Sequence, residues 1–142
     1  MFSCEKNYND IACAHVQYKH DGHCRFIHGH NWSFTFVFAC DALDEQGFVI
    51  DFGKLKFIAA WLDEHLDHAC IFDKNDPEAK ALVSAFPQLF KPYFVDCASA
   101  EGLAKHLHEI FDPQIRARSN GRVWIKAVKA YESSRDAATY EA

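Results

Sequence analysis

Between residues 28 and 40, bulky apolar side chains fall on every second position: Trp32, Phe34, Phe36 and Phe38, with Asn31, Ser33, Thr35 and Val37 between them. A period of two with this aromatic content predicts a β-strand with one face in a dense aromatic core. The small and polar alternates suit an antiparallel sheet that carries helices on one side. Residues 9–19 include Val16 and Tyr18 and no helix cap, which predicts a preceding strand, and Asp21-Gly22 reads as the turn after it.

The period becomes helical over residues 51–68, where Leu55, Ile58, Leu62 and Leu66 fall on one side, Trp61 flanks them and Asp51 can cap the start. A second helix is predicted over residues 100–111, capped by Ser99, striped by Leu103, Leu107, Ile110 and Phe111, and stopped by Pro113. Residues 69–98 hold Pro77, Pro87 and Pro92 and no sustained period beyond a helical turn around 78–85, so they read as a long connection. After the Asn120-Gly121 turn, Val123, Ile125, Ala127 and Val128 lead to Tyr131 and Glu132 as a third strand, with a short fourth over 138–141. The expected order is ββααββ, an α+β fold. Nothing repeats or divides the chain, so residues 1–142 are expected to form a single domain.

Composition narrows the partners. An apolar fraction of 49% over 142 residues is enough for a buried core without staples. The balance of 20 acidic against 15 basic residues, with no basic run, argues against nucleic acid. No charged start leads into an apolar signal segment and no apolar stretch could span a bilayer, so a soluble, cytoplasmic protein is expected. The cysteines Cys4, Cys13, Cys24, Cys40, Cys70 and Cys97 include no CxxC pair and read as reduced thiols.

Nine histidines are many for this length, and His15, His20, His23, His28 and His30 crowd one short stretch. His28-Gly29-His30 opens the strongest strand, where residues two apart share a face and can bite one ion, with the glycine leaving room. Such a pair alone is more often surface or hydrogen-bonded histidine. A third histidine, His15, on the preceding strand completes the three-histidine set that leaves a fourth zinc position open, the catalytic pattern. Cys24 could be a fourth ligand that closes the site or a reactive thiolate beside it. Asp67 and His68 are adjacent, so they can hydrogen-bond only where the helix ends; a solvated terminus is the plainer alternative. Glu132, at the end of an apolar strand, is either exposed or paired.

These pieces resemble one family across nearly the whole chain, the 6-pyruvoyl-tetrahydropterin and 6-carboxy-tetrahydropterin synthases of the tunnelling fold. The matching residues are Ala12-Cys13-Ala14-His15, Cys24-Arg25-Phe26-Ile27-His28-Gly29-His30-Asn31, Gly47-Phe48-Val49-Ile50-Asp51-Phe52, Leu66-Asp67-His68, Ser99-Ala100-Glu101 and Tyr131-Glu132-Ser133. The resemblance implies a four-stranded antiparallel sheet with two helices on one face, and trimers paired into homohexamers with sites between subunits. It implies zinc on His15, His28 and His30, proton transfer by Cys24, Asp67 and His68, and substrate binding by Glu132, which anchors the pterin ring, with Glu101. The Cys24-x3-His28 spacing looks like that of the queuosine-pathway carboxy-pterin synthases.

The expected chemistry is a zinc-dependent lyase reaction on 7,8-dihydroneopterin triphosphate, giving 6-carboxy-5,6,7,8-tetrahydropterin, acetaldehyde and triphosphate. The rivals are triphosphate elimination to a 6-pyruvoyl product and a non-catalytic zinc- or pterin-binding module. The chain departs from the family pattern at Ala98-Ser99, where proline-threonine is usual, at Gly102, where asparagine is frequent, and over Cys70-Ile71-Phe72-Asp73.

Overall fold

The computed structural model describes residues 1–142. Its elements are β1 (Phe2–His15), β2 (His28–Cys40), α1 (Lys56–His65), β3 (Cys70–Asp73), α2 (Ala79–Ala85), β4 (Pro92–Val95), α3 (Ala100–Arg118), β5 (Val123–Tyr131) and β6 (Ala137–Glu141). The strands form one sheet in the order β4-β3-β1-β2-β5-β6. β1, β2, β5 and β6 pair antiparallel, whereas β3 and β4 add to the β1 edge in parallel. The α+β class holds, but the four-stranded, two-helix ββααββ expectation is corrected to six strands and three helices.

The aromatic alternation does what the period demands. Trp32, Phe34, Phe36 and Phe38 are all fully buried, in one cluster with Ile58 and Leu62 of α1 and Leu103, Leu107, Phe111 and Ile115 of α3. Tyr8 and Phe111 each meet the Phe36 ring edge-on at 5.6 Å, so β1, β2 and α3 lock together through one side chain. Stacking both long helices on that face of the sheet leaves the ends of β1 and β2 free to carry chemistry.

Two helix boundaries differ from expectation. Asp51 does cap, accepting from Gly53 N at 2.9 Å, but it caps a 3₁₀ turn over Phe52–Lys54, and α1 starts only at Lys56. Pro113 does not stop α3, which runs on to Arg118. The proline removes one backbone donor, but the following turns are held by side chains: Gln114 Nε2 donates to Ile110 O at 3.0 Å, Arg116 pairs with Asp112 at 2.8 Å, and buried Ile115 anchors the turn to the core. Asp112 also accepts from Ile125 N at 2.7 Å, tying the helix to β5.

Residues 69–98, expected to form a long connection, contain β3, α2 and β4. Val16, Cys70, Phe72 and Ala79 form a second small core there, which closes the β1 edge of the sheet.

Candidate metal centre

A β-bulge decides where His15 points. Opposite β2, β1 keeps one register through Tyr8↔Phe34 and another from Ile11↔Trp32 onward, so β1 holds one extra residue between them. Asp10 sits there with φ 61°, its carboxylate accepting from Asn31 Nδ2 at 3.1 Å. A one-residue slip moves every later side chain to the other face. Without the bulge Ala14 would lie opposite His28; with it His15 does. His28 and His30 share a face of β2, so three imidazoles converge.

The convergence is tight. One ring nitrogen from each of His15, His28 and His30 lies within 4.8 Å of the others, and His15 Nε2 is 3.0 Å from His28 Nε2. Trp32, two residues beyond His30 on the same face, meets the His15 and His30 rings edge-on at 5.1 and 5.5 Å and forms a rigid floor. Two of the remaining nitrogens are pinned: His15 Nδ1 on Ala98 O at 2.6 Å and His28 Nδ1 on Phe26 O at 2.7 Å. As donors to carbonyls these Nδ1–H groups leave the Nε2 lone pairs facing inward, the usual support for a metal-ligating histidine. His30 Nε2 is buried with no hydrogen-bond partner. A buried orphan nitrogen is costly; two neighbouring imidazole nitrogens and this orphan fit one divalent ion with nitrogen preference such as zinc.

Burial pushes His15 down from 6.5 to about 4, against the opposing pull of the Ala98 carbonyl. The fold therefore holds the neutral, ligating form. The unfolded chain binds a proton between about 4 and 6.5 that the folded chain refuses, so stability from His15 is complete above about pH 6.5 and is lost as pH falls toward 4. In the metal-free protein this amounts to on the order of 3 kcal/mol. An NMR titration of the His15 ring is expected to show a midpoint near pH 4; a midpoint near 6.5 would contradict the burial account.

Glu132 follows the last residue of β5, and its carboxylate oxygens lie 4.0 Å from His15 Nε2 and 3.9 Å from His30 Nε2. The turn behind it is fixed by Glu132 N donating to Asp136 O at 3.0 Å and by Ser133 Oγ, which accepts from Arg135 N and Asp136 N at 3.2 Å. A carboxylate missing from the spacing argument for the histidines thus borders them.

Asp67 and His68 do form a pair, with His68 Nδ1 2.7 Å from Asp67 Oδ2. His68 takes φ 63° just past α1, which turns its ring back onto the neighbouring carboxylate. The pair is clamped to β1 at Ala12, whose N–H donates to Asp67 Oδ1 at 3.3 Å and whose carbonyl accepts from His68 N at 2.6 Å. The hydrogen bond from His68 holds the Asp67 carboxyl below its ordinary range, so Asp67 is an anion at neutral pH. The His68 side chain is 81% exposed.

Cys24 is half-buried in the short turn His23–Arg25, outside the histidine group. Its carbonyl accepts from Gln17 N at 3.0 Å, which fastens the loop between β1 and β2 across its own neck. Glu101 is exposed in the first turn of α3. A hydrogen bond joins Asp67 to His68, and Glu132 lies within 4.0 Å of His15 and His30, but no hydrogen bond or ion pair joins Cys24, Asp67, His68 or Glu101 to the histidine cluster. The room attributed to Gly29 is not a steric need, since an added Cβ would meet only Cys13 O at an ordinary 3.8 Å.

The 6-pyruvoyl tetrahydropterin synthase family model matches residues 4–142. The chain belongs to that family. It is 28% identical over 134 residues to a 6-carboxy-5,6,7,8-tetrahydropterin synthase of Rickettsia conorii, covering 94% of this chain and 95% of that one. A protein of the same name from Aquifex aeolicus is 31% identical over 124 residues, 83% of this chain and 75% of the relative. Among solved structures, an uncharacterised protein of Wolinella succinogenes superposes with a TM-score of 0.86 at 19% identity, covering 99% and 97% of the two chains. The 6-pyruvoyltetrahydropterin synthase of Plasmodium vivax does so at 0.69 and 19%, covering 100% and 99%. This pterin-synthase relationship spans the whole sheet and both long helices.

Proposed function

We propose that this chain converts 7,8-dihydroneopterin triphosphate and water to 6-carboxy-5,6,7,8-tetrahydropterin, acetaldehyde and triphosphate, at a zinc ion held by His15, His28 and His30. The observation that carries the reading is the inward-facing nitrogen trio with its orphaned His30 Nε2, set beside relatives that are named for the carboxy product. Zinc bound there supplies Lewis acidity toward the oxygens of the substrate side chain.

The chain's own groups do the rest. Glu132, beside the histidines, accepts two parallel hydrogen bonds from the amino group and adjacent N–H of the pterin ring, a charge-assisted pair that fixes orientation; Glu101 contributes to substrate binding. Asp67 holds the proton of His68 on Nδ1 and leaves Nε2 to give or take a proton. Cys24, as thiolate, removes a proton from the side chain of the bound pterin. The sites lie between subunits of a trimer-based hexamer, which brings the exposed His68 of one protomer to a neighbour's substrate; a sizing column reports that assembly.

The test is to incubate the zinc-loaded protein with 7,8-dihydroneopterin triphosphate and identify products by mass spectrometry. A 6-carboxy product with acetaldehyde supports the proposal. A 6-pyruvoyl product without acetaldehyde moves it to triphosphate elimination, and unchanged substrate favours a binding module. Cys24→Ala is expected to lower turnover by about 10²- to 10⁴-fold while leaving zinc content intact; full turnover in this variant would remove Cys24 from the proton-transfer set.

A further inference from the structure

The imidazole of His15 is held by a backbone carbonyl, Ala98 O, and a glycine lies against the peptide that precedes that carbonyl. Gly102 is the third residue of α3, a position where glycine weakens a helix. A Cβ there would strike the backbone of the preceding loop: it would fall 2.7 Å from Cys97 Cβ and 2.8 Å from Cys97 C, and closer still to Cys97 O. Backbone atoms cannot rotate away as a side chain can, so along this chain's loop path, which departs from the family pattern at Ala98-Ser99, a Cβ at residue 102 would require the Cys97-Ala98 peptide to shift off the helix. Ser99, the helix cap, fastens the same loop by accepting from Gly102 N at 3.0 Å. The next carbonyl along the loop, Ala98 O, is the one that takes His15 Nδ1 at 2.6 Å, in a setting where Ala98 and His15 are 3% and 1% exposed.

We propose that Gly102 is a positioning residue for His15: its missing side chain lets the Cys97-Ala98 backbone lie on the first turn of α3, and so fixes the tautomer and direction of the His15 ring. The functional consequence rests on the metal-centre reading above; the tautomer does not. With Nδ1–H committed to Ala98 O, Nε2 keeps its lone pair and faces His28. Displacing that carbonyl frees the ring to rotate and to carry its proton on either nitrogen.

The experiment compares wild type, Gly102→Ala and Lys105→Gly, the last an exposed change in the same helix that weakens it without adding a Cβ against Cys97. Cobalt affinity is read by competition with a chromogenic chelator, and the His15 tautomer by long-range ¹H–¹⁵N correlation of the metal-free, histidine-labelled proteins. Gly102→Ala is expected to bind cobalt about 10-fold or more weakly and to show mixed His15 tautomers, while Lys105→Gly matches wild type in both. Wild-type affinity and a single Nδ1–H tautomer in Gly102→Ala would overturn the proposal. Should Gly102→Ala not fold, Ala98→Gly decides, since loosening the backbone at that carbonyl is expected to mix the tautomers and an unmixed His15 would overturn it. Failure of wild type to bind cobalt removes the metal-centre reading alone, because the tautomer comparison still decides the role of Gly102.

Discussion

Replacement of His28 by alanine is expected to release the metal and to cut product formation by about 10³-fold or more. The size follows from the several kcal/mol of charge stabilisation that a bound divalent ion provides, at a factor of ten for each 1.4 kcal/mol. His28 is the sharpest choice of the three because its Nε2 lies 3.0 Å from that of His15 and its Nδ1 is held by the Phe26 carbonyl within its own loop. The ring contributes little to the core, unlike buried His15, so the fold should survive. Metal analysis of the purified variant together with product quantification by mass spectrometry checks this. A variant that keeps one zinc per chain and full turnover would show that His28 neither holds the metal nor serves the reaction.

Phe36→Ala is expected to destabilise the protein by about 3–5 kcal/mol, read as a lowered urea midpoint. Phe36 is fully buried and takes edge-on contacts from Tyr8 on β1 and Phe111 on α3, each at 5.6 Å. Its loss leaves a void where sheet and helix meet. Against a typical stability of about 5–15 kcal/mol, that is a large fraction, and a change under about 1 kcal/mol would mean that the core closes around the gap.

The parts legible in the sequence are those whose periodicity is long. β2 shows its alternation over four aromatic positions, and the stretch around α1 its stripe of Leu55, Ile58, Leu62 and Leu66, all buried as the spacing demands. β3 was illegible because it is short and buried on both faces: Cys70, Ile71 and Phe72 are all interior, so no alternation develops. β4 opens on Pro92, which an outer strand tolerates at its first residue; in the sequence the same proline reads as a break. Pro113 misled in the opposite sense, since side-chain bonds at Gln114 and Arg116 and the burial of Ile115 carry α3 past it.

At the site, the HxH pair was readable from strand geometry, but the third histidine depended on a bulge. The Asp10 residue that brings His15 opposite His28 has φ 61°, and a short polar side chain tolerates that conformation without advertising it. The Asp67–His68 bond likewise needs a left-handed residue that sequence alone does not reveal. The carbonyls of Phe26 and Ala98, which hold the rings in place, belong to the backbone and leave no residue-type signal at all.

The most direct test of the three-histidine centre is a cobalt titration of the metal-free protein followed by its visible spectrum. The account predicts one cobalt per chain, weak d–d bands of a nitrogen and oxygen environment, and no intense thiolate-to-cobalt charge-transfer band. A strong charge-transfer band would contradict it by showing that Cys24 closes the site as a fourth ligand, and absence of any bound cobalt would contradict it outright.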